Sequence, residues 1–201
     1  MNKIREKLLI IGAGGFGKVV LEHAMQEYEC AFIDDGINIG AIIHGCKVVG
    51  NTADLDKLHS IYRMLIVAIG NNRVREEIYK KAEDFGYTFP NIICKSAYIS
   101  SFAKIGKGCV ILNNVVIQNG AVIGNGVILN PGVEIHHEST VGNNVLIYTN
   151  SVIRTGANIL DRAWIGSTLT ISNDVVVAVD EVVSDGKTKV NRLYNFMEDK
   201  V

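Results

Sequence analysis

The chain predicts two architectures in series: a small α/β unit on a parallel sheet over residues 1–93 and an all-β parallel solenoid over residues 94–188, with a tail at 189–201. Three observations lead there. Written in sixes from Ile99, the first column is Ile, Leu or Val at every position down to Val183, and fourteen complete sixes hold phase without an insertion. Neither a helical period of 3.6 nor a strand period of 2 produces that pattern. The residues before it obey a different rule, in which a short apolar strand runs into a glycine-rich turn and then a helical stretch. Finally, a chain of 201 residues, 48% hydrophobic and 20% charged, is globular and long enough for two small domains.

Charge and composition narrow the partners. The formal net charge is -1, which argues against nucleic acid and against an anionic membrane surface and favours a small molecule. No apolar run reaches the ~18 residues of a membrane span, and the opening residues resemble no signal peptide. A cytoplasmic protein is expected. Cys30, Cys46, Cys94 and Cys109 show neither CxxC spacing nor a compact framework, which suits reduced thiols.

Taken in order, the first unit reads as strand 8–11, helix 16–28, strand 30–34, strand 64–69, helix 73–85 and a last strand near 87–93. The turn after the first strand carries Gly12, Gly14, Gly15 and Gly17, so that Gly12, Gly14 and Gly17 fill the G-x-G-x-x-G spacing. Such glycines let backbone approach a phosphate at a helix N-terminus. Asp34 and Asp35 close the second strand, and Gly70, Asn71, Asn72 and Arg73 form a second turn on the same expected sheet edge. The edge can cradle a nucleotide diphosphate, or the glycines can simply close tight turns. About 90 residues are too few for the two mononucleotide-binding halves of a dehydrogenase.

In the solenoid, the first and fifth columns point inward. The fifth is small or apolar except at Ser139, Ser151 and Glu181. The fourth holds Gly108, Asn114, Gly120, Gly126, Gly132, Asn144, Asn150 and Gly156, residue types that enter left-handed backbone at low cost. The chain is thus expected to turn a corner every six residues and to complete a coil in three sixes.

Glu138 stands in that fourth column and departs from its Gly/Asn preference, beside His137 in the third. An imidazole next to an acid that fixes its tautomer is a general-base pair, and a solvated surface pair is the bland alternative. His136 reads as solvated or as an inter-subunit residue.

Six-residue repeats of this kind resemble the hexapeptide family of acyltransferases, which implies a left-handed parallel β-helix. Over nearly its whole length the chain resembles the bacterial nucleotide-sugar N-acetyltransferases of amino-sugar biosynthesis and their sialic acid O-acetyltransferase relatives. The resemblance rests on the turn Gly12 to Gly17, the strand end Phe32 to Asp35, the turn Ala68 to Arg75 and the run His136-His137-Glu138-Ser139-Thr140-Val141-Gly142. It implies a small Rossmann-like domain that binds the nucleotide sugar through Gly12, Gly14, Gly15, Gly17, Asp34, Asp35, Gly70, Asn71, Asn72 and Arg73. It also implies His137 as base, Glu138 as its orienting acid, and a homotrimer with acetyl-CoA in the groove between prisms, near Gly142, Thr155 and Ser167. No metal is implied. Phe16 and Leu146 replace two histidines that the family commonly carries, and the C-terminal rung is bulkier than usual.

The expected reaction is acetyl transfer from acetyl-CoA to the amino group of a nucleotide-linked 4-amino-4,6-dideoxysugar, direct and without an acyl-enzyme. The alternatives are an O-acetyltransferase acting on sialic acid or a related sugar, and a degenerate structural or regulatory trimer.

Overall fold

The computed structural model describes residues 5–186 and Lys189. Its contacts divide the chain into two compact units, residues 1–92 with 107–109 and residues 93–106 with 110–201. Apart from Lys189, the expected tail lies outside the described residues.

The first unit centres on β1 (Lys7–Ile11), whose Leu8, Leu9, Ile10 and Ile11 are all buried. A strand covered on both faces reads as an unbroken apolar run rather than an alternation. It pairs in parallel with β2 (Glu29–Ile33) on one side. On the other side its parallel neighbour is the strand Met64–Val67. The sheet then extends past β2 through a hairpin that the residue pattern did not reveal, β3 (Ile42–Ile43) antiparallel to β4 (Cys46–Gly50), with β4 parallel to β2. Strand Met64–Val67 becomes β5, and the order is β3-β4-β2-β1-β5, a mixed sheet rather than the purely parallel one expected. His44 (φ 46) and Gly45 (φ 83) make the hairpin turn, with positive φ at both central positions as two-residue hairpins favour.

Among the described residues three α-helices complete the unit: α1 (Gly15–Ala24), the short α2 (Leu55–Leu58) and α3 (Asn72–Asp84). Helix α1 stops four residues before the expected 28, because the chain turns there to enter β2. The expected strand at 87–93 is not one element. Thr88 makes a single parallel bridge to Met64, and Ile92–Ile93 is a separate two-residue strand.

From there on the chain consists of two-residue strands, from Ile92–Ile93 to Val182–Val183, in three parallel sheets of five, five and six strands. Each strand pairs with those 18 residues away, as in Val116↔Glu134 and Glu134↔Val152. Three sixes therefore make one coil of a left-handed parallel β-helix. First-column side chains from Ile111 to Val183 are buried in its interior. The two inward serines are accommodated because each hydroxyl finds a carbonyl: Ser139 Oγ donates to Arg154 O at 3.0 Å and Ser151 Oγ to Gly166 O at 2.6 Å. A buried hydroxyl with no such partner would be destabilising.

Every fourth-column residue from Gly108 to Gly186 has φ between 54° and 75°. Glu138 (φ 60) shares this backbone with Arg162, Thr168, Asp174 and Asp180. A charged or β-branched residue at a corner is thus a repeated feature of this prism, and the expected singularity of Glu138 does not hold.

Candidate active site

In the first unit, a cleft of about 440 Å³ opens where β1, β2 and β5 end, within the size range of small-molecule sites. Gly12, Gly14, Gly15, Gly17, Asp34 and Asp35 all line it, together with Phe16, Thr52, Val74 and Ile78. The four glycines divide by the reason each lacks a side chain. A Cβ on Gly12 would lie 2.9 Å from Ala68 O, and one on Gly17 would lie 1.9 Å from Gly12 O, so packing alone demands both. A Cβ on Gly14 or Gly15 would meet nothing within 4 Å. At these two the missing side chain serves only to leave the cleft open, at the N-terminus of α1, where no side chain caps the helix. The first backbone N–H groups of a helix have no intrahelical partner and attract anions.

The two aspartates hold the cleft's shape. Asp34 Oδ2 accepts from Ala13 N at 2.8 Å and its Oδ1 from Gly36 N at 2.9 Å. Asp35 receives Thr52 N at 2.7 Å and Thr52 Oγ1 at 2.9 Å, and Lys81 Nζ in turn donates to Thr52 O at 3.0 Å. Thr52 had no sequence signal. It reaches the site only because β4 ends beside β2.

The second turn behaves differently from expectation, since Gly70, Asn71, Asn72 and Arg73 do not line this cleft. Asn71 folds back as the N-cap of α3 and accepts from Arg73 N and Val74 N, both at 3.1 Å. Asn72 Oδ1 accepts from the wholly buried Arg75, whose other arm donates to Ile69 O at 2.8 Å. Burial pulls that guanidinium down to about 10. The turn contributes Ala68, Ile69 and Val74 to the wall instead.

In the second unit, His137 and Glu138 are both exposed. The His137 ring is not held by Glu138. Its Nε2 lies 3.1 Å from Thr155 Oγ1, one coil further along, and its backbone N–H donates to Gln118 Oε1 at 3.1 Å. The corner conformation carries the Glu138 side chain the other way, over Gly120, where its Cγ is 3.6 Å from the position of a Cβ. His136 Nε2 faces Glu134 Oε2 at 3.5 Å.

The three residues expected near acetyl-CoA differ in what their amides can offer. Gly142 N is committed to the ladder, donating to Ile159 O at 2.7 Å, and Ser167 N donates to Asp185 Oδ1 at 2.6 Å. Thr155 N has no protein acceptor among the described residues. At some corners the third-column N–H is closed by the side chain one coil on, as in Asn125 N to Asn143 Oδ1 at 2.9 Å and Asn143 N to Asp161 Oδ1 at 2.7 Å. At Thr155 the corresponding residue is Asn173, whose Oδ1 is buried with no partner among the described residues. The corner at Thr155 thus lacks a bond that some corners have, as do those at Asn119 and Thr149 among the described residues; what sets it apart is the buried Asn173 Oδ1, and an unpaired buried group calls for a reason.

Comparison with known proteins places both halves. Residues 7–82 match the PglD N-terminal domain, and residues 120–155 match the bacterial transferase hexapeptide (six repeats). The acetyltransferase domain of PglB from Neisseria gonorrhoeae is 32% identical, with 92% of each chain covered and a TM-score of 0.87. The same domain in complex with acetyl coenzyme A is matched at 31% identity over 92% of this chain and 95% of that one, with a TM-score of 0.68. A histidine-to-asparagine mutant of perosamine N-acetyltransferase from Caulobacter crescentus, in complex with CoA and GDP-perosamine, is 27% identical over 91% of this chain and 92% of that one, with a TM-score of 0.57. The chain belongs to this family of bacterial sugar N-acetyltransferases, which join a PglD-type N-terminal domain to a hexapeptide-repeat prism, and it is an acetyltransferase.

Proposed function

We propose that the chain transfers the acetyl group of acetyl-CoA to the amino group of a nucleotide-linked 4-amino-4,6-dideoxysugar, working as a cytoplasmic homotrimer. The observation that carries this reading is the exposed His137 ring beside the unpaired Thr155 N–H, on a prism whose relatives were crystallised with acetyl coenzyme A or with CoA and GDP-perosamine. The open backbone at Gly14 and Gly15 supports diphosphate binding in the first unit.

In the reaction the amine nitrogen attacks the thioester carbonyl carbon while His137 takes its proton. The oxyanion forms within reach of the Thr155 N–H, the C–S bond breaks, and the thiolate leaves carrying the proton that His137 held. Because Thr155 holds the ring, Glu138 is assigned the lesser role of a nearby carboxylate. Gly142 and Ser167, whose amides are already bonded, contribute shape to the CoA path rather than donors. Gly70 to Arg73 support the cleft through α3.

The test is thioester consumption with a panel of amino-sugar nucleotides against free sialic acid, paired with sedimentation of the full chain. Turnover with the nucleotide-linked amines and a trimeric mass are expected. Turnover on sialic acid alone would transfer the assignment to O-acetylation. No turnover, with no thermal shift from millimolar acetyl-CoA, would mean a structural or regulatory trimer.

A further inference from the structure

We propose that Thr155 is the positioning residue of His137: its hydroxyl accepts a hydrogen bond from Nε2–H and leaves Nδ1 as the nitrogen that takes the substrate's proton. The inference rests on His137 being the base and adds which ring nitrogen works and what aims it.

The geometry narrows the choice. Thr155 Oγ1 lies 3.1 Å from Nε2, and among the described residues it is the one side chain hydrogen-bonded to the ring. Gln118 is engaged by the His137 backbone, His136 faces Glu134, and Glu138 lies over Gly120. A neutral imidazole has one N–H and one lone pair. If the threonine hydroxyl donated to Nε2, the ring proton would sit on Nδ1 and the unbonded nitrogen could accept nothing. If Nε2–H donates to Oγ1, Nδ1 keeps a free lone pair on a side chain that is exposed. That second arrangement also survives the reaction, because the imidazolium formed when Nδ1 gains the amine proton still carries the Nε2–H.

The hydroxyl is well placed to aim the ring. Threonine is stiff at χ1. Its corner is pinned on both sides: the carbonyl of Arg154 accepts from the buried Ser139 Oγ at 3.0 Å. On the other side Asp174 N donates to the Thr155 carbonyl at 3.1 Å. One residue thus offers two groups to the same reaction, its backbone N–H toward the oxyanion and its hydroxyl toward the base.

The experiment compares Thr155→Val and Thr155→Ser in the full chain with acetyl-CoA and whichever amino-sugar nucleotide is turned over, and records 15N spectra of the histidines without substrate. Valine keeps the backbone N–H and the branched shape, so only the hydroxyl is lost. The expected result is a kcat lowered by about 10- to 100-fold, with KM for both substrates within about twofold, and recovery in Thr155→Ser. The His137 resonances, identified by their loss in His137→Ala, should report the Nε2–H tautomer in the wild type and a mixture in Thr155→Val. An Nδ1–H tautomer in the wild type overturns the proposal, as does an unchanged kcat in Thr155→Val. A rise in KM for acetyl-CoA with no tautomer change also overturns it, making Thr155 a co-substrate contact. Full activity in His137→Ala would instead sink the assignment of the base. The tautomer is read without turnover, so the two failures are distinguishable.

Discussion

The two units solve the same problem, how to hold a reactive surface steady, by opposite routes. In the α/β unit the core gathers residues from distant parts of the chain, Leu9, Ile33, Leu65, Tyr87 and Phe89 among them, and its turns are individually shaped. In the prism every inward column recurs at six and the strand pairings at 18. Regularity makes departures visible. The proposed site in the prism is marked by the buried, unpaired Asn173 Oδ1 one coil on from Thr155, and the proposed cleft in the α/β unit by glycines whose side chains would have met nothing.

The variant that strikes hardest at this contrast is His137→Ala, which should lower kcat by about 10² to 10⁴ while leaving nucleotide-sugar affinity intact. Equal loss of both, by steady-state kinetics and calorimetry, would mean that the corner is a binding surface and not a catalytic one. Next come the two classes of glycine. Gly17→Ala pushes a Cβ into Gly12 O and should destabilise the α/β unit by about 3 kcal/mol, read in denaturant. Gly14→Ala should leave stability unchanged and raise KM for the nucleotide sugar about tenfold. Identical behaviour of the pair would erase the distinction between packing glycines and cleft glycines.

Smaller effects belong to the prism itself. Ser151→Ala removes a buried hydroxyl from Gly166 O and from Leu169 N, which donates to it at 3.0 Å, and should cost about 1 to 3 kcal/mol. Thr168→Asn relieves a β-branched residue at φ 56 and should stabilise by up to about 1 kcal/mol, visible as a raised thermal midpoint. Glu138→Gln should change kcat less than Thr155→Val does, because Glu138 makes no bond to the ring. The smallest effect concerns pH at the last rung. The hydrogen bond from Lys189 holds the Glu181 carboxyl below its ordinary range, reinforced by Ala178 N. A depressed acid contributes stability above its unfolded-state value and loses it as pH falls through its folded-state value. Lys189→Met should therefore melt earlier than the wild type at neutral pH, and the two should converge in acid.

The hairpin β3–β4 shows what local pattern could and could not reveal in the α/β unit. His44-Gly45 is not one of the strong two-residue hairpin signals, and β3 before it has only two residues, so the pair does not stand out. Helix α3 was legible to within one residue at each end, because Asn71 caps it and Gly86 (φ 84) follows it. The roles inside its first turn were not legible, since Asn71 and Asn72 look equally able to bind a ligand until Arg75 is seen buried beneath them.

Sequence by itself determined the six-residue phase, the three-six coil, the inward columns and the glycine turn, because each is a local rule repeated or concentrated along the chain. Only the tertiary structure decided which glycines face open space, that Asp34 and Asp35 brace loops, and that the partner of His137 is Thr155 and not its neighbour Glu138. Adjacent residues at a corner point apart, while residues 18 apart stack. Contact across coils is a property of the wound chain, and no inspection of consecutive residues contains it.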